Sequence, residues 1–277
     1  MAASLSICKT LNGRKLFNQS LANADLATCG RLSRSEIDSC DLSGATLDGL
    51  MWSRSRFTSV DFTRASMKGF VDRANKYSNC IFVGSDLTNA TLGFEGSEFD
   101  SCNFDGANFG RSSFIRPLFV GCTFAGQFRN VDFEASSFSR CRFSGRVDGG
   151  WFRNGYQHPD LVSEFGRPPV NSMTNVDFQD AVLWGVGFSG SVDLSSVLLP
   201  RDGEHYFFDR WPSRIASVGA QSPNDAQLKS AIEGFVSIFG PSSQRQHQYI
   251  VHRGFLAQAL SQKGADYILD QLLSAKT

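Results

Sequence analysis

The chain has 277 residues, 41% of them apolar, and its 27 Lys and Arg balance 27 Asp and Glu for a formal net charge of +0. That size allows one large domain with an appendage and a continuous core. The charge balance excludes a global drive toward nucleic acid or an anionic membrane, and equally a strongly acidic duplex mimic. The 7 Cys stand at no metal-like spacing and read as free thiols of a reduced, cytoplasmic protein.

Residues 1–15 read as an N-terminal cap. Lys9, Arg14 and Lys15 are not followed by an apolar run, so no signal peptide is expected, and no stretch reaches the length of a membrane-spanning helix. Residues 16–200 then repeat with a period of five. Apolar residues recur at Leu21 and Leu26, from Ile37 through Leu42, Leu47, Trp52, Phe57 and Phe62 to Met67, and at Phe82, Leu87 and Leu92. After a two-residue slip at Gly93–Gly96 the series runs from Phe99 to Phe124. One residue is then lost before Phe133, Phe138 and Phe143, and a last block holds Phe178, Leu183 and Phe188. This explains the use of 25 Phe against 5 Tyr and 4 Trp.

Two residues before each central position stands a small one, such as Ala24, Cys40, Ala65, Cys102, Cys122 or Cys141. Asp or Asn often lies between them, as at Asp41, Asp61, Asp86, Asn103 and Asn108, where it suits a local turn. A period of five fits neither a helix nor a long strand. It fits a chain that turns a corner every five residues, with the large and the small residue inward. Four sides close a coil of about 20 residues, and stacked coils pair as parallel strands about 4.8 Å apart.

The segment 146–172 breaks the period and is rich in Gly, Pro and aromatics. It reads as an excursion loop, with Trp151, Phe152, Arg153, Tyr156, His158 and Arg167 as candidate binding residues. The competing reading is a neutral insertion whose aromatics pack on the coils.

Residues 201–277 read as a capping and helical region. Gly203–Pro212 is expected to seal the coil stack. A first helix is expected to open with Ser222 as cap and Pro223 at its first position and to stop at Gly240–Pro241. A second is expected over Ser243–Gln262, and a third around Ile268, Leu269, Leu272 and Leu273. These helices cap the solenoid, pair two chains, or form a separate bundle.

Little points to catalysis. His247 and His252 are five apart, not the four of a zinc helix. Cys102, Cys122 and Cys141 stack on one side of the coil, where small buried thiols serve packing. No metal, cofactor or catalytic set is expected. Charge is distributed unevenly along the chain: Asp86, Glu95, Glu98, Asp100 and Asp105 make a candidate acidic patch, and Arg54, Arg56, Arg64 and Lys68 a candidate basic one. A dipolar rod of this kind meets a partner of complementary charge; the alternative is solvated outward positions of either sign.

The units Ala-Asp-Leu and Cys-Asn-Phe, each followed by two free positions, resemble the pentapeptide-repeat family over most of residues 16–198. The resemblance implies a mainly β fold, a right-handed quadrilateral parallel β-helix, here with a C-terminal α-helical segment. Members of that family protect bacterial type II topoisomerases from inhibitors, often as dimers whose rod imitates DNA. What this implies is a non-catalytic rod binding DNA gyrase or topoisomerase IV, with antibiotic resistance as the outcome. A homodimer through the C-terminal helices belongs to the same expectation. The near-neutral charge and the long helical tail depart from that pattern. They leave open a protein–protein scaffold or regulator with another partner.

Overall fold

The computed structural model describes residues 8, 11–243 and 245–275; the rest of the expected N-terminal cap, residues 1–7, 9 and 10, lies outside the described residues. The coil has four faces. Face A is a seven-stranded parallel sheet running from Lys15–Phe17 through Glu36–Asp38, Arg56–Thr58, Lys76–Ser78, Glu98–Asp100 and Leu118–Val120 to Ser137–Ser139. Face D begins as a five-stranded sheet, Arg31–Ser33, Met51–Ser53, Val71–Arg73, Thr91–Phe94 and Ser113–Phe114. Faces B and C start as single parallel bridges, such as Asp41↔Asp61↔Ile81 and Thr46↔Ser66↔Asp86. Together these make a quadrilateral parallel β-solenoid, as the period of five requires.

The corner chemistry follows from the sequence. Asp41, Asp61, Asp86 and Asn103 each accept the backbone N–H two residues on, at 2.8–3.1 Å. These Asx turns bend the chain at the spacing the repeat demands. The residue lost after Phe124 has a structural counterpart. Phe124 and Phe128 are four apart and both buried, as are Phe143 and Val147. The corner between faces B and C opens there, and the strands Thr123–Arg129, Arg142–Asp148 and Asp177–Trp184 run through it.

The core is built of columns along the axis. On face B, Phe62, Phe82, Phe104, Phe124, Phe143 and Phe178 stack ring on ring, with centroids 4.6–5.1 Å apart. On face A, Phe57, Tyr77, Phe99, Phe119 and Phe138 do the same at 4.6–5.1 Å. The distance between coils sets this spacing, and offset stacking of buried rings adds to the apolar burial. Cys40, Cys80, Cys102, Cys122 and Cys141 are free and buried. Cys102 and Cys141 each share a hydrogen bond with the Cys122 thiol, and that bond together with burial raises their pKa, so both stay protonated.

The other two cysteines correct the expectation of seven free thiols: Cys8 and Cys29, 21 residues apart, form a disulfide. It staples the start of the chain one coil along, on the segment after Leu26.

The C-terminal region closes the far end. Trp211–Gly219 (α2), Ala226–Ser243 (α3), Arg253–Leu260 (α4) and Gln262–Ser274 (α5) pack together; α1 is the short helix Leu161–Phe165. The strand His205–Phe208 pairs antiparallel with Tyr249–His252. Several sequence expectations change here. Helix α2 was not foreseen. Helix α3 starts at Ala226 because Asp225, not Ser222, accepts the N–H groups of Gln227 and Leu228, at 2.8 and 3.2 Å. It also runs past Pro241 to Ser243. The expected helix Ser243–Gln262 is a strand followed by α4, and Ser261 begins α5 by accepting from Gly264 N–H.

This region is joined to the last coil by specific bonds. Gln246 accepts from Val192 N–H at 3.0 Å and donates to Val192 C=O at 2.8 Å, and Gln248 accepts from Leu194 N–H at 2.6 Å. Phe188 and Trp184 pack on Tyr249, His252 and Phe255. Unpaired strand groups at a sheet end invite another chain. Here side chains of the helical region occupy those of Val192 and Leu194.

Candidate interaction site

The two-residue slip sits on face D. Val71 pairs with Thr91 and Arg73 with Phe94, so Leu92 and Gly93 both stand opposite Asp72. A bulge of this kind costs a ladder bond and bends the strand. Gly93 has φ +81°, and a Cβ there would meet the backbone N of Pro117 at 2.5 Å, so only glycine fits. Its N–H donates at 2.8 Å to the Asp72 carboxylate, which stands in the core where other coils have Trp52 or Leu92. Asp72 also accepts from Asn75 Nδ2 at 2.7 Å and from Tyr77 O–H at 3.0 Å. Burial raises its pKa against these bonds, and burial beside Asp72 pushes the Tyr77 phenol well up. Asp72 and Tyr77, the two odd central residues of the repeat, are thus one buried knot that repairs the bulge.

Outside the bulge, Phe94 lies beneath the Arg73 guanidinium, 5.2 Å from its centroid, and Glu95 pairs with Arg73 and, at 3.5 Å, with Arg54. The Arg73 hydrogen bond holds the Glu95 pKa below its usual range.

The excursion reaches the same place. It is shorter than the sequence suggested. Arg146 lies within the strand Arg142–Asp148, and Trp151–Arg153 is a coil strand whose Phe152 is fully buried and stacked 5.1 Å from Phe133. Arg153 is held by Asp132 at 2.9 Å. Only residues after Asn154 leave the wall, and Asn154 Oδ1 closes the neck by accepting Asn171 N–H at 3.0 Å. The loop folds back on face D. Phe165 of α1 lies 5.8 Å from Phe94 and 6.2 Å from Tyr156, whose hydroxyl donates to Gly166 C=O at 3.3 Å. Gly166 packs close against the Arg116 guanidinium. Between loop and wall lies a cleft of about 330 Å³, lined by Ile115, Glu134, Tyr156, Leu161 and Phe165 among others. His158 and Arg167 are exposed on the loop.

The charged candidates are not gathered into two patches. Asp86 is on face C, Glu95 at the corner between faces D and A, Glu98 and Asp100 on face A, and Asp105 past face B. Three of these acids meet a cation from an earlier coil: Asp86 with Lys68 at 3.5 Å, Glu98 with Lys76 at 2.8 Å, and Glu95 with Arg73 one coil back and Arg54 two coils back. Partial burial opposes ionisation of Asp86, yet Thr88 and Lys68 hold its pKa low. Of the basic set, Arg54 and Arg56 share a groove, whereas Arg64 sits beside Gly84 on another corner and Lys68 on face C.

One Asp–His pair looks catalytic and is structural. His205 Nδ1 meets Asp202 at 2.9 Å, but its Nε2 accepts Leu183 N–H at 3.0 Å, which leaves no free nitrogen for a substrate. Among the described residues no group of three His, Cys, Asp or Glu is placed to hold a metal ion, and no helix is long and apolar enough to cross a membrane.

Four faces of parallel strands around a core filled by side chains define a repeat protein of the β-solenoid class. Residues 36–70 match the family described as Pentapeptide repeats (8 copies). The parallel coils extend well beyond that matched segment, from Lys15 to Ser189. A search of curated proteins finds no match. Among solved structures, it is similar to trypsin-treated QnrB1, a plasmid-mediated fluoroquinolone resistance protein, at 17% identity over 63% of this chain and 89% of that one, with TM-score 0.43. HetL, involved in heterocyst differentiation regulation in the cyanobacterium Nostoc sp. strain PCC 7120, is 14% identical over 69% and 90% of the two chains, with TM-score 0.34. A pentapeptide repeat protein of the Arabidopsis thaliana thylakoid lumen is 18% identical over 60% and 86%, with TM-score 0.25. No function passes to this chain from likenesses of that degree.

Proposed function

We propose that the chain is a non-catalytic binding rod that docks on a protein through the loop-and-bulge surface of face D. One observation carries the reading: the two departures from the repeat meet at Phe94 and Phe165, which are 71 residues apart in sequence. Elsewhere, apart from the opened corner after Phe124, the walls repeat from coil to coil. The experiment replaces residues 156–169 by a Gly-Ser linker. The melting temperature should hold to within a few degrees while partner binding is lost; unchanged binding rejects the reading.

A type II topoisomerase, DNA gyrase or topoisomerase IV, is the partner the family resemblance implies, with protection from inhibitors as the outcome. Supercoiling assays with and without a quinolone test it, and no change over a wide concentration range sinks it. The second reading, a scaffold or regulator with another partner, is favoured by the ion pairing of Asp86, Glu95 and Glu98, which takes away the acidic stripe that duplex mimicry needs. A homodimer through the C-terminal helices would use Ile238 and Leu273, which are exposed, and sedimentation at rising concentration tests it. On compartment, the five free thiols suit the cytoplasm and the Cys8–Cys29 bridge suits an oxidising space.

A further inference from the structure

Next to the bulge, on the corner between faces D and A, lies a groove of about 380 Å³ walled by Arg34, Arg54, Arg56 and Lys76, with Glu36 at its edge. Its floor is a buried polar ladder. Ser35 N–H donates to Ser55 Oγ at 3.0 Å, Ser55 N–H to Asn75 Oδ1 at 2.9 Å, and Asn75 N–H to Ser97 Oγ at 3.0 Å. The ladder fixes the corner residues at successive levels.

The charges in the groove do not cancel. Glu36 turns to Lys15 at 2.6 Å, Lys76 to Glu98, and Arg54 to Glu95. Arg34 and Arg56 are exposed and have no ionic partner among the described residues. Arg34 and Arg54 also stand in the left-handed region, at φ 54° and 50°, where the first coil has Gly13. That conformation favours glycine or asparagine. Two successive levels instead hold arginine, and among the described residues no ion pair uses the Arg34 guanidinium.

We propose that this groove binds an acidic peptide segment of the partner, with Arg34 and Arg56 receiving its carboxylates. The proposal rests on the docking reading above and extends it along the same corner, from Glu95 at the bulge to Arg34. Guanidinium forks match carboxylates in two-point contacts that an ammonium does not make. A peptide fits better than a nucleic acid strand for two reasons. Glu36, Glu95 and Glu98 interrupt the basic track and repel an unbroken row of phosphates. No aromatic ring lines the groove to stack a base.

The test uses the full chain and two labelled probes, a decapeptide alternating Glu with Ser and a single-stranded oligonucleotide of equal length, read by fluorescence anisotropy at low salt. The peptide should bind, and Arg34→Glu with Arg56→Glu should weaken it at least about tenfold. Arg64→Glu, the same charge change on another corner, should leave it within about twofold. The melting temperature of the double variant reports that the coil is intact, and Arg34→Asn keeps the test open if it is not, because asparagine suits that corner. The proposal is overturned by no peptide binding, by equal loss in Arg64→Glu, or by tighter binding of the oligonucleotide. The chain lacking loop 156–169 should still bind the peptide. Loss of partner capture in that chain with failure of the peptide in the intact one would reject this groove and leave the docking surface standing.

Discussion

Faces B and D are built from the same repeat in the same coils, yet their columns differ in kind. Face B is an unbroken stack of rings from Phe62 to Phe178, each inner ring inserted between two others. Face D runs Leu32, Trp52, Asp72, Leu92, Phe114 and Phe133, with a buried carboxylate in the middle. The difference is two extra residues. Face B keeps its ring column through every coil, even across the register shift between Arg142 and Ser144 at its last strand, so apolar side chains suffice. On face D the bulge frees the Gly93 N–H inside the core, and an unpaired buried donor is costly. The carboxylate answers it, and the same bulge lifts Phe94 to where the loop lands. Regularity gives stability, and the one polar repair marks the surface unlike the rest.

The comparison is sharpest where a ring is removed. Phe104→Ala takes one member from between Phe82 and Phe124, at 4.7 and 5.1 Å, and should cost about 3–5 kcal/mol in denaturant unfolding. A value below 1 would mean that the stack is not the source of stability. Asp72→Ala, although it adds no bulk, should cost about 3 kcal/mol, because Gly93 N–H, Tyr77 O–H and Asn75 lose their acceptor.

The carboxylate also predicts a pH dependence. The pKa of Asp72 in the folded chain is raised above the ordinary 3.8. Between those values the folded chain keeps a proton that the unfolded chain has released, so this residue makes stability fall as pH rises through that window. Asp72→Asn should flatten that part of the profile; an unchanged slope would show that another group sets it.

Gly93→Ala should cost about 2 kcal/mol, since its Cβ meets the Pro117 backbone at a left-handed φ, whereas Gly13→Ala, with open space around it, should cost less. The smallest effect is expected at Cys122→Ala, about 1 kcal/mol by lost packing, with binding unchanged. A loss of binding there would give the thiol column a role beyond filling space.

Much of this molecule was legible in its sequence because a period of five is a local property. Each corner needs only its own Asx turn, small residue and large residue, so the square coil, its axial columns and its turn-forming Asp and Asn follow from spacing alone. The position of the slip was legible too, but not its meaning, since the bond from Gly93 to Asp72 crosses 21 residues. The same holds for the loop. Its composition marked it, but Phe152 looks like a loop aromatic until the coil is closed around it. The candidate charges failed for that reason as well: residues near in sequence turn corners onto different faces, and residues a coil apart pair. In the C-terminal region, apolar spacing located three helical stretches and missed Trp211–Gly219 and the strand Tyr249–His252, because both exist by packing on the final coil and on each other. The sequence alone determined the repeat and the wall it builds. Tertiary structure alone decided which side chains meet at the slip, the loop and the C-terminal region, because those contacts depend on register and packing and not on neighbours in the chain.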